Sequence, residues 1–244
     1  KNVHRLTTLS QSTDSASHYG RRNHKKLLME SGRFPNPSVA GFPIMNPAHR
    51  ALISAVLLSA ASPIACAAST LENLNAAYQR ESNQVVLYEA FARRADEEKH
   101  TQAAKLFRAT AASEAIHRDI QKRALLKLGG HIEAFKLAEA TAATTEENLK
   151  SSIKEETEES VSYYPGFVKS AKAEGLKAAT RAFNYSLAAE KRHAGFFQQA
   201  LDGLAANTPI HCYVCKDCGL LLTTLPARKC PLCDEGLKAF KTIS

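Results

Sequence analysis

From residue 71 to about 204 the chain places apolar and polar positions with a helical period. Ala, Leu, Glu, Lys and Gln dominate the stretch, and Pro165 is the only proline between Pro63 and Pro209. Unbranched side chains lose little freedom in a helix, so the pattern predicts a mainly α domain. Its breaks divide it into four helices, over about 71–98, 100–128, 145–171 and 175–204. Gly129-Gly130 stops the second, Gly175 marks the last turn, and Pro165 is expected to kink or interrupt the third. Upstream the pattern is different. Residues 1–44 show no sustained apolar period and read as a disordered basic leader or read-through. Residues 45–69 join Met45, His49 and Arg50 to an apolar run over 51–61 and a small-residue end, Ala65-Cys66-Ala67. That is the grammar of a secretory signal peptide, with a buried or interfacial helix as the alternative. Pro63 interrupts the run, so a spanning helix is not expected. Export to a periplasm follows if 45–69 is a signal, and a cytoplasmic location if it is not.

The helical region repeats itself. Asn73-Leu74 lies eight residues before Glu81, and Asn148-Leu149 eight before Glu156. Tyr88 and Tyr163 each follow those glutamates by seven, and Phe107, Glu114 and His117 recur as Phe183, Glu190 and His193. The offset is 75 at the start and 76 at the end, which predicts a one-residue slip between paired helices. Two similar helical hairpins are therefore expected, joined by a long connection around 129–145. A long crossover between hairpins is the ferritin-like arrangement of a four-helix bundle.

The repeat carries chemistry. Glu114/His117 and Glu190/His193 are both Glu-x-x-His, and residues three apart share a helix face. One such pair in a Glu-rich protein is ordinarily two solvated side chains. Here it occurs twice, with apolar flanks, and each copy has a glutamate, Glu81 or Glu156, on the preceding helix. Carboxylates inside a bundle are costly unless cations neutralise them. Four Glu and two His in this order match the di-iron carboxylate pattern, and four negative charges balance two ferrous ions. Glu159, one turn after Glu156, breaks the symmetry, because its counterpart in the first half is Gln84.

Near the C-terminus, Cys215-x2-Cys218 and Cys230-x2-Cys233 form two knuckles for a tetrahedral sulfur site. Iron and zinc both suit four thiolates, and a structural zinc ribbon is the competing reading; fusion to a di-iron bundle favours iron. Cys212 offers a second Cys-x2-Cys with Cys215, but Gly219 follows Cys218 as a first knuckle requires. Asp234, after the second knuckle, tolerates the left-handed backbone better than most residues. Charge alters little. The net +8 comes mainly from residues 1–50, where eight Lys/Arg face two acids, so no basic face for nucleic acid is implied on the folded part.

Over about 71–244 the chain resembles the rubrerythrin family. The resemblance rests on Asn73-Leu74, Arg80-Glu81-Ser82, Ser113-Glu114-Ala115-Ile116-His117, Glu156-Thr157-Glu158-Glu159, Tyr164-Pro165, Glu190-Lys191-Arg192-His193 and the cysteine pairs. It implies a ferritin-like bundle over 70–206 and a rubredoxin-like domain over 207–244. Glu81, Glu114, His117, Glu156, Glu159, Glu190 and His193 would hold two irons, and the four cysteines a third. One iron would exchange Glu159 for His117 as its oxidation state changes, with the hydroxyls of Tyr88 and Tyr164 beside the cluster. The implied activity is reduction of hydrogen peroxide to water, with electrons from an external NAD(P)H-dependent donor or a rubredoxin-type protein. The implied assembly is a homodimer that places one subunit's rubredoxin-like domain near the other's di-iron site. Arg80 and Glu155 depart from the glycine that often precedes the ligand glutamates. Two other functions compete: a ferroxidase or iron store, and a non-catalytic bundle carrying a structural zinc ribbon.

Overall fold

The structure, a computed structural model, describes residues 68–244. The leader over 1–44 and nearly all of the signal segment over 45–69 lie outside the described residues. Helix α1 (Thr70–Glu97) begins where Ser69 and Glu72 form a reciprocal capping box, each side chain satisfying the other's backbone N–H. Helix α2 (Thr101–Lys127) returns antiparallel to it after a turn through Lys99, whose φ is +66°. Helix α3 (Thr145–Glu158) starts on a second capping box, Thr144 with Glu147. A π-helical turn (Glu159–Tyr163) leads into α4 (Tyr164–Ala173), and α5 (Lys177–Asp202) completes the bundle. No helix among the described residues is long and apolar enough to cross a membrane.

The predicted interruption at Pro165 takes the form of this π turn. Proline has no N–H to return to the carbonyl of Val161, and Tyr164 N–H bonds to Glu159 O, five residues back. A π turn inserts one residue into an α-helix. The repeat offset therefore slips from 75 to 76 inside the third helix, not between paired helices as the spacing suggested.

Helix α1 packs along α2, α3 along α5, and α2 against α5, whereas α1 and α3 barely touch. The connection over 129–144 runs extended along α1: Asn75 accepts from Glu133 N–H and donates to His131 O, Asn83 accepts from Ala138 N–H, and Phe135 meets Tyr78 edge-on. Two apolar clusters fill the bundle. Tyr88, Phe91, Phe107 and Phe197 anchor one, and Tyr164 and Phe183 the other. The acidic layer lies between them.

The C-terminal module is a three-stranded antiparallel sheet in the order β2-β1-β3, from β1 (Cys212–Cys215), β2 (Leu221–Leu222) and β3 (Phe240–Ile243). It packs on α2 and α5 of its own chain, with Cys212, Val214 and Leu221 buried in the same cluster as Phe107.

Candidate metal centres

Glu81 on α1, Glu114 and His117 on α2, Glu156 on α3, Glu159 in the π turn, and Glu190 and His193 on α5 are all fully buried. The three-residue spacing on α2 and α5 aims each carboxylate and imidazole inward together. Two groups result. In Glu81, Glu114, His117 and Glu190, and again in Glu114, Glu156, Glu190 and His193, one donor atom per residue lies within 4.8 Å of the others. Glu114 and Glu190 belong to both groups, so two ions held there would share two carboxylates.

The distances suit that arrangement. His193 Nδ1 lies 3.0 Å from Glu114 Oε1 and from Glu190 Oε2, and 3.4 Å from Glu156 Oε2. His117 Nδ1 is 2.8 Å from Glu114 Oε2 and 3.8 Å from Glu190 Oε1. Two donors about 2.1 Å from one ion and at right angles stand about 3.0 Å apart. Glu81 Oε2, Glu114 Oε1, Glu156 Oε2 and both oxygens of Glu190 are buried without a hydrogen-bond partner. A buried unsatisfied oxygen costs about 1–3 kcal/mol, and more if charged. The donor set therefore fits a pair of hard cations, and oxygen with imidazole suits iron or manganese.

Electrostatics show what the carboxylates do to one another. Burial, reinforced by Glu114, pushes Glu81 up to about 8. Burial also raises Glu190, with Glu114 and Glu156 adding to it. Burial depresses His117 to about 4, so it is a neutral ligand at pH 7. Burial acts the same way on His193, but the Glu114 and Glu156 carboxylates outweigh it and raise that imidazole well above its usual range. The surrounding acids thus favour a proton on the His193 imidazole, and a metal ion held there would displace that proton and keep the ring as a ligand.

Two tyrosines brace the layer in pseudo-symmetric fashion. Tyr88 OH donates to Glu156 Oε1 and Tyr164 OH to Glu81 Oε1. Tyr163, matched to Tyr88 by the repeat, is instead 39% exposed, because the π turn hands the inward position to its neighbour. Burial keeps both inner phenols protonated. Ser186 Oγ donates to Glu81 Oε1 at 3.0 Å, and Gln121 Nε2 donates to Ser186 Oγ at 3.1 Å. Neither residue was legible as part of the site, since an isolated Ser or Gln on a helix carries no spacing signal.

Glu159 stands apart from both groups. Its Oε1 accepts from Arg80 Nε at 2.5 Å and from Gln84 Nε2 at 2.6 Å. Gln84 was visible as the asymmetric counterpart of Glu159, and the fold sets these equivalent positions face to face.

In the C-terminal module the four sulfurs of Cys215, Cys218, Cys230 and Cys233 cluster, with Cys215–Cys233 and Cys218–Cys230 Sγ separations of 3.6 Å. Thiolates about 2.3 Å from one tetrahedral ion stand about 3.7 Å apart, far beyond a disulfide bond. The knuckles match: Gly219 N–H bonds to Cys215 O and Asp234 N–H to Cys230 O, with φ of +79° and +65° at Gly219 and Asp234. Cys212 lies outside the cluster, in the interface with the bundle, where burial pushes its thiol up to about 11.

The first knuckle touches the bundle site. Ser113 Oγ donates to Gly219 O at 2.5 Å, and a methyl group built on Gly219 would stand 2.4 Å from His117 Nε2. His117 thus has Nδ1 toward Glu114 and Nε2 toward the Cys218-Gly219 backbone. The proximity that the resemblance assigns to two subunits exists here within one chain.

Comparisons with known proteins agree with this architecture. The family model described as Rubrerythrin matches residues 72–201. Nigerythrin from Nitratidesulfovibrio vulgaris is 33% identical over 172 residues, covering 70% of this chain and 85% of the relative. Rubrerythrin-2 from Clostridium acetobutylicum is 31% identical, covering 71% and 95%. A solved nigerythrin in a mixed-valence state superposes with a TM-score of 0.66 at 31% identity, covering 75% of this chain and 90% of that one. An open-pore ferritin from Archaeoglobus fulgidus, 15% identical with a TM-score of 0.51, shares the bundle fold alone. The chain belongs to the rubrerythrin family, with a carboxylate-histidine bundle site and a four-cysteine module.

Proposed function

We propose that the chain is a peroxidase that reduces hydrogen peroxide to water in defence against oxidative stress. The observation that carries the reading is the sharing of Glu114 and Glu190 between two buried donor groups with the four-cysteine module in contact at His117. When bound, two irons in the bundle would supply the two electrons for cleaving the O–O bond, and one iron in the module would return them singly.

The residues present serve that chemistry. Glu114 and Glu190 would tie the two ions together, Glu81 and His117 would complete one, and Glu156 and His193 the other. Tyr88 and Tyr164 keep their protons and, through their carboxylate partners, orient Glu156 and Glu81. The buried Tyr88–Phe107–Phe197 cluster walls off one side of the donor groups from bulk water. The backbone of Cys218-Gly219 lies against the His117 ring, which supports electron entry to the bundle site from the module of the same chain. An external NAD(P)H-dependent reductase or a rubredoxin-type protein would reload the module, and the working unit would be a homodimer, whose mass sedimentation would give. Residues 45–69 would direct export, which N-terminal sequencing of the mature protein checks.

Anaerobic purification, iron counting and stopped-flow addition of peroxide test the reading. Three irons per chain and oxidation of the bundle site faster than that of the module are expected. Zinc in both sites, or reduced iron inert to peroxide, would overturn it. The ferroxidase reading predicts iron uptake into a large assembly, and the module packed on the bundle disfavours it.

A further inference from the structure

We propose that Arg80 is a positioning residue that holds Glu159 away from the two shared-carboxylate groups, and so sets how readily that carboxylate becomes a metal ligand. The proposal rests on the di-iron reading above and deepens it.

Glu159 is fully buried, and its Oε1 is taken by both Arg80 Nε and Gln84 Nε2 while Oε2 has no partner. Both donors stand on α1, whereas Glu159 stands on the facing π turn. These contacts bridge the one side of the bundle where neighbouring helices, α1 and α3, barely meet. Arg80 grips the same turn a second time, its guanidinium lying 4.6 Å from the centre of the Tyr163 ring. A guanidinium that donates to a carboxylate through Nε and lies over an aromatic face has little freedom left to lose. Beyond it opens a cavity of about 680 Å³, lined by Arg80, Gln84, Lys154, Glu158, Tyr163 and Phe167. The Arg80 side chain, 29% exposed, lines that space and has room to swing outward. Oε2 is free, so exchange of Glu159 onto a metal means moving the carboxylate against the bonds that Arg80 and Gln84 make to Oε1, with no covalent change. A carboxylate favours the ferric ion over the ferrous one, being a hard anionic donor. By restraining it, Arg80 would leave His117 as the ligand to a ferrous ion and so hold the midpoint potential up.

Spectroelectrochemical titration of the iron-loaded full chain reads this directly. In Arg80→Met, which keeps the stem and loses the charge, ferric preference should rise at least tenfold. That is a fall of about 59 mV in a one-electron couple. Adding Glu159→Gln should abolish the fall, because the amide cannot take the carboxylate's place. Arg80→Lys, which keeps the charge but not the planar group over Tyr163, should fall part of the way. An Arg80→Met protein that holds its irons at the parent midpoint would overturn the latch and leave the di-iron reading standing. So would an equal fall in the double variant. If Arg80→Met does not load iron, an unshifted Arg80→Lys overturns the proposal. A parent chain that binds no iron pair would overturn both.

Discussion

Replacing Gly219 by alanine places a methyl group 2.4 Å from His117 Nε2 and 2.5 Å from its Cδ2, at a backbone φ of +79°. The left-handed conformation costs an L-residue about 1–2 kcal/mol. Forcing a methyl into a close-packed contact costs about 1–3 kcal/mol more, and the His117 ring cannot retreat without leaving Glu114. The knuckle bears the backbone cost whether or not the module docks, so only the contact with His117, about 1–3 kcal/mol, falls on the docked state. At 1.4 kcal/mol per factor of ten, even the low end reduces the docked population about fivefold relative to undocked forms. Gly236→Ala is the internal control, since φ at that residue is −68° and a methyl there meets nothing within 4 Å. Hydrogen exchange on the metal-loaded protein reports the docking. Amides around Ser113 and Gly219 should lose protection in Gly219→Ala and keep it in Gly236→Ala, with α1 and α3 unchanged. Electron transfer from a reduced module to an oxidised bundle site should slow in parallel. If both variants protect these amides equally, the close approach to His117 is not the contact that docks the module.

Glu114 and Glu190 are common to both donor groups, so Glu190→Ala should cost both bundle ions, whereas Glu81→Ala should cost one; metal counting after gel filtration separates the cases. Tyr164→Phe removes the hydroxyl that donates to Glu81, and hydrogen bonds to charged groups contribute about 1.5–3 kcal/mol. The expected result is roughly tenfold or greater weakening of metal binding at the Glu81 group, read by competition with a chelator. In metal-free protein, Glu81 is raised to about 8, and Glu190 and His193 are raised well above their ordinary values. Each of these binds more protons folded than unfolded, so its contribution is present below the unfolded pKa and lost as pH rises through the folded one. His117, depressed to about 4, opposes them only below its unfolded value of 6.5. Thermal unfolding of chelated protein should therefore show stability falling from pH 6.5 to 8, and added ferrous or manganous ion should cancel the slope.

Much of this molecule is written in short-range pattern. Periodicity and two capping boxes delimit the helices, the Glu-x-x-His spacing sets the inward faces, and Cys-x2-Cys followed by Gly219 or Asp234 specifies the knuckles. Each of these depends on residues within a turn or two of one another, so the linear order suffices to read them. The repeat even registers the inserted residue, though not its place, because a count of offsets cannot say which turn widens. Pro165 and the Tyr164 N–H bond to Glu159 O decide that, and with it that Tyr164 rather than Tyr163 reaches the metal layer.

The remainder was decided by tertiary structure alone. Which two carboxylates are shared, the capture of Glu159 by Arg80 and Gln84, and the seating of Gly219 on His117 all join residues distant in sequence. Arg80 and Glu159 are 79 positions apart, and Ser113 and Gly219 are 106 apart. Such pairings arise from how helices cross and how a module docks. Those choices are made by the summed burial of apolar surface over whole faces, and no local spacing encodes them.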